Sequence, residues 1–88
     1  EGEIVADAGD MLSRVTNGYI PSTTHRVINP DDTSTARYSM PFFVHPRPDS
    51  LLSVLSSCKG DGFPEPPRDI IGIDFLNQRL KALGLTKL

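Results

Sequence analysis

The sequence predicts a mainly β domain that ends in a single C-terminal helix, and three observations carry that prediction. Residues Ala36–Val44 read ARYSMPFFV, aromatic-rich and alternating in chemistry, which makes them the clearest strand in the chain. Tyr19–Asn29 also read as extended, and Asn29–Thr35 (NPDDTST) is a cluster of turn formers that separates the two runs. Near the end, Leu76, Leu80 and Leu83 follow one another at i, i+4 and i+7, the spacing of an apolar helix stripe.

Taken in order, Ile4–Ala6 form a brief strand, and DAGD breaks it. Asp10 is placed to cap a short helix that carries Met11, Leu12 and Val15 on one stripe. Asn17 and Gly18 end that helix, because both tolerate positive φ. Pro21 marks the next run as an edge or a bulge. In the strand over Ala36–Val44, the period of two puts Arg37, Ser39, Pro41 and Phe43 on one face and Ala36, Tyr38, Met40, Phe42 and Val44 on the other. From Pro46 to Asp69 the chain is proline-rich with SSCKGDG in its middle, which predicts an irregular surface segment that wraps the body. Asp74 is placed to cap the final helix, and Gly84 closes it. The expected divisions are strands over 1–46, a wrapping segment over 47–69 and an amphipathic helix over 70–88.

Size and charge exclude several classes. A domain of 88 residues is marginal by itself. The net charge of −2 comes with scattered Lys and Arg, so no nucleic-acid partner is expected. Cys58 is the only cysteine, which rules out an internal disulfide and a cysteine-rich zinc site and suits a cytoplasmic location. No apolar run approaches the ~20 residues that span a bilayer, so no membrane partner is expected either. The opening EGEIVADAG already reads as a strand, and three strands without a facing sheet leave apolar faces open. A piece of a longer protein is the expectation.

Two constellations carry chemistry. Arg37 and Ser39, at i and i+2 on a strand, point the same way. A guanidinium presents a planar fork that matches a carboxylate with two parallel bonds, and the hydroxyl can add a third. The pair is thus a candidate clamp for a small dicarboxylic acid. On spacing alone the stronger reading is a solvated Arg37 paired with Asp31 or Asp32. His25 shares a face with Thr23 and Val27. A neutral imidazole there can bind a divalent metal, although a lone histidine is more often structural. His45, before Pro46, reads as a loop residue.

Context changes this balance. GDML, then TNG, then STTHRV, then RYSMPFF and a proline resemble, in that order and spacing, the C-terminal part of one enzyme family over about Glu3 to Pro46. These are the isopenicillin N synthase-like non-haem iron oxygenases, most of them dependent on Fe(II) and 2-oxoglutarate. The resemblance implies a partial double-stranded β-helix, or jelly roll, with His25 as the distal histidine of an iron-binding triad of two histidines and a carboxylate. It implies that Arg37 and Ser39 grip the far carboxylate of 2-oxoglutarate, and that NPDDTST crosses between sheets. The reaction implied oxidises a small-molecule substrate with O2 while 2-oxoglutarate becomes succinate and CO2.

One departure is definite. The family's His-x-Asp or His-x-Glu motif is absent: Arg26-Val27 follow His25, and Pro46-Arg47 follow His45. One imidazole cannot hold Fe(II) against water, so the fragment alone is expected to be inactive without the N-terminal half. Two alternatives stand beside this. One is a relative that uses iron without 2-oxoglutarate, as isopenicillin N synthase and aminocyclopropane carboxylate oxidase do. The other is a non-catalytic β-rich module that forms a homodimer through its open sheet.

Overall fold

The computed structural model describes residues 2–85. Its elements in chain order are helix α1 (Asp10–Val15), strand β1 (Leu51–Leu52), a single 3-10 turn at Ser56–Cys58, strand β2 (Ile70–Ile71) and helix α2 (Gly72–Ala82). β1 and β2 pair antiparallel, with Leu51 opposite Ile71 and Leu52 opposite Ile70. Among the described residues, the buried ones are Thr16 and Asn17, just after α1, and residues beyond Pro46.

Helix α1 ends as the sequence predicts. Asn17 sits at φ 52° and Gly18 at φ 82°. The Asn17 N–H donates to Arg14 O at 3.1 Å and the Gly18 N–H to Ser13 O at 2.8 Å, the paired bonds that close a helix on a left-handed residue. The start differs. Asp10 is the first helical residue and Gly9 the cap, without a side-chain capping bond. The Asp10 carboxylate instead meets Arg79 Nε at 2.7 Å.

Helix α2 is also shorter and differently capped than predicted. Ile71 occupies the cap position and Asp74 lies in the first turn, where its charge still suits the helix dipole, as do Arg79 and Lys81 in the last turn. Gly84, at φ 73°, closes the helix as expected, with the Leu85 N–H donating to Leu80 O at 2.9 Å. Phe75, not the leucine stripe, is the buried anchor, and Leu83 is 64% exposed. The last three residues of the predicted helix lie outside the described residues.

The segment over 47–69 corrects the sequence reading most. It was expected to wrap the surface, yet it supplies Leu52, Val54 and Cys58, which with Phe75 form the buried apolar core. The run LLSVL alternates, with Leu52 and Val54 inward and Leu51 and Leu55 outward. Gly72 lets this segment pass close to α2: a Cβ there would lie 3.0 Å from Arg47 O.

The mainly β expectation is not met within this chain: among the described residues the paired strands are β1 and β2, two residues each, beside two helices. Residues 4–6, 19–29 and 36–44 are non-helical, but no backbone hydrogen bond pairs them among the described residues. A strand is completed by a neighbour's N–H and C=O groups, and this chain brings no neighbour to these three. Residues 20–46 therefore leave the packed body as a solvated limb. In it Tyr38 and Met40 are each 95% exposed.

Candidate metal and carboxylate site

His25, Arg37 and Ser39 all stand on the limb, and all three are exposed. His25 follows Pro21 and Thr23 along the first arm. Its Nδ1 lies 2.9 Å from Thr23 O. A carbonyl oxygen can only accept, so Nδ1 is the donor in that contact, which in a neutral ring puts the lone pair on Nε2, the form in which an imidazole ligates a metal. His25 lines a shallow concavity of about 190 Å³ with Asp7, Ala8, Pro21 and Thr23.

Arg37 lines a second concavity, of about 240 Å³, with Asn29, Pro30, Asp32, Thr33 and Thr35. It makes no ion pair with another described residue, so the pairing with Asp31 or Asp32 that spacing favoured is not formed. Asp32 is engaged locally: its Oδ1 accepts from the Ser34 N–H at 2.9 Å and from the Ser34 hydroxyl. The Ser34 hydroxyl, and after it the Ser34 N–H, hold the Asp32 carboxyl below its ordinary pKa. Ser39 lines neither concavity. His25 and Arg37 thus line different concavities.

Among the described residues no three His, Cys, Asp or Glu side chains gather into a metal-binding group. The described residues alone therefore do not make an iron site, which needs several ligands preset in geometry.

Sequence reasoning missed the polar residues that hold the body together. Asn17 was legible as a helix stop, yet its Nδ2 also donates to Cys58 O at 3.1 Å and to Pro64 O at 2.9 Å. Arg14 donates from a guanidinium nitrogen to Arg68 O at 2.6 Å and lays its guanidinium 5.1 Å from the Phe75 ring centroid. Their partners lie 41 to 54 residues away, a separation no local pattern encodes.

Comparison with known proteins decides the family. The model of the 2OG-Fe(II) oxygenase superfamily matches residues 1–46, which include His25, Arg37 and Ser39. The chain belongs to the 2OG-Fe(II) oxygenase superfamily. That family uses Fe(II) and 2-oxoglutarate. Among curated relatives, the Arabidopsis thaliana protein called "Probable flavonol synthase 5" is 32% identical over 88 residues, all of this chain and 26% of that protein. A 2-oxoglutarate-Fe(II) type oxidoreductase of Aspergillus fumigatus is 34% identical over 71 residues, covering 78% of this chain and 20% of the relative. A crystal structure of a 2OG-Fe(II) oxygenase family protein from Caulobacter crescentus superposes with a TM-score of 0.78 at 42% identity, over 85% of this chain and 26% of that one. The chain spans about a quarter or less of the length of each.

Proposed function

We propose that this chain is the C-terminal segment of a longer oxygenase that oxidises a small organic substrate with O2, as 2-oxoglutarate is converted to succinate and CO2. The observation that carries the reading is the co-occurrence of His25, Arg37 and Ser39 inside the residues matched by the family. In the complete enzyme His25 gives one ligand through Nε2, and the N-terminal part gives the others. Arg37 and Ser39 hold the distal carboxylate of 2-oxoglutarate, so that the keto acid adopts a single pose. Iron, when bound, activates O2 toward a substrate carbon. The limb supports the division of labour: its apolar residues are solvated here and need a facing sheet.

Alone, the chain is inactive, because it carries one metal donor of the three the family's site needs. Its working compartment is the cytoplasm, where the buried Cys58 thiol stays reduced. The deciding experiment measures succinate, CO2 and oxidised product together in the full-length enzyme. Equal amounts of the three support the reading. Product without succinate would move it to a relative that uses iron alone, with Arg37 and Ser39 on a substrate carboxylate.

A second reading rests on one feature. Tyr38, Met40 and Phe42 stand at 89–95% exposure on the same strand face, which suits a module that dimerises through that face. A folded dimer of the 88-residue chain, without metal, would favour it.

A further inference from the structure

Asn17 has two duties at once. Its backbone takes the left-handed turn that ends α1, at φ 52°, and Gly18 continues that turn at φ 82°. Its side chain, 9% exposed, donates from Nδ2 to Cys58 O at 3.1 Å and to Pro64 O at 2.9 Å. Alongside, the Leu55 N–H donates to Val15 O at 2.9 Å, so the C-terminal segment is bonded to the end of α1 at three points.

The helix stop therefore sets an asparagine directly before a glycine at a buried junction, and that dipeptide has a chemistry of its own. The backbone nitrogen after an asparagine can attack the side-chain amide carbon, and glycine has no Cβ to shield that nitrogen. A bond forms between Gly18 N and Asn17 Cγ while the Cγ–Nδ2 bond breaks. The Gly18 amide proton departs with the side-chain nitrogen as ammonia, leaving a five-membered imide. Water then opens either ring carbonyl, giving aspartate or its isomer linked through the side chain. No oxidant or reductant takes part. The other two asparagines are placed differently: Asn29 precedes Pro30, whose nitrogen has no proton to lose, and Asn77 precedes Gln78 inside α2.

The fold holds this reaction back. The leaving nitrogen is bonded to two carbonyls, and the attacking Gly18 N–H donates to Ser13 O at 2.8 Å. Ring closure requires these bonds to open together, which a local opening of the junction supplies. After conversion the junction cannot re-form as before, because a carboxylate would face two carbonyl oxygens, acceptor against acceptor.

We infer that Asn17-Gly18 is a conformationally gated deamidation site: it reacts only when the C-terminal segment parts from α1, and its product keeps the two apart. The site uses none of His25, Arg37 and Ser39 and does not depend on their roles.

The test incubates the full-length protein at mildly alkaline pH, in native buffer and in urea, and follows the Asn17 peptide by mass after digestion. Conversion in urea is expected to outpace that in native buffer at least about thirtyfold, with Asn29 unconverted in both. Val54→Ala, which loosens the buried core of the segment, is expected to raise the native rate about five- to thirtyfold. The Leu55 amide reports on the product: its hydrogen exchange is expected to be faster in Asn17→Asp. Should that variant fail to fold, Asn17→Gly, which keeps the left-handed turn and removes the amide, decides in its place. Equal rates in buffer and urea, or a native rate unmoved by Val54→Ala, would overturn the gate. Wild-type Leu55 exchange in a folded Asn17 variant would overturn the parting of the segment.

Discussion

Asp10 and Arg79 join the first turn of α1 to the last turn of α2 through a 2.7 Å contact between carboxylate and guanidinium. Each charge also sits at the helix end whose dipole favours it. Both side chains are 45% exposed, so water screens the pair. Arg79→Ala is expected to cost about 0.5–1 kcal/mol in denaturant unfolding of the full-length protein, and a double-mutant cycle with Asp10→Ala to return a coupling that shrinks at high salt. A salt-independent coupling would contradict the screened picture.

Phe75 should matter more. It is buried under the Arg14 guanidinium against a small core, so Phe75→Ala removes apolar burial and the cation–π contact together. The expected loss is about 3 kcal/mol, by the same unfolding measurement. Phe75→Leu should recover part of it, since volume is largely kept.

Gly72 gives a test of close packing. An added Cβ would sit 3.0 Å from Arg47 O and 3.5 Å from the Pro46 ring, so backbone has to move. Gly72→Ala is expected to destabilise by about 1–2 kcal/mol despite the better helix propensity of Ala, measured as a fall in the denaturant midpoint.

The Asp32 turn has a pH signature of definite sign. Its folded carboxyl is held down by Ser34, so the stabilisation is present above the unfolded pKa and fades as pH falls through the folded one. Ser34→Ala should raise the Asp32 pKa toward the ordinary carboxylate value, read from its side-chain NMR titration. No change on substitution would remove Ser34 as the cause.

Arg37→Ala in the full-length enzyme should raise the 2-oxoglutarate concentration for half-maximal turnover at least about tenfold, since charge-assisted bonds of ~1.5–3 kcal/mol are lost. Succinate formation against 2-oxoglutarate concentration reads it. An unchanged dependence would show that Arg37 holds something else.

The sequence conveyed these features unevenly, for physical reasons. Asn17-Gly18 and Gly84 were legible because a left-handed residue is a local requirement written in residue type. Phe75 was hidden by a leucine stripe of better helical spacing, and only the C-terminal segment's packing decided which side faced inward. The prolines flanking LLSVL drew attention from its period of two. The strands at 19–29 and 36–44 were legible as extended runs, while their pairing depends on groups this chain does not bring. His25, Arg37 and Ser39 became readable through the order of several motifs together; their alternation alone favoured ordinary surface roles.

Because Ile20 and Pro48 are both hydrogen-bonded to one packed base, the intervening stretch is a long loop held at its two feet and exposed between them, with its bend near Asp31–Thr35. Length changes at the bend leave the anchorage untouched, whereas an insertion beside either foot would swing an entire arm.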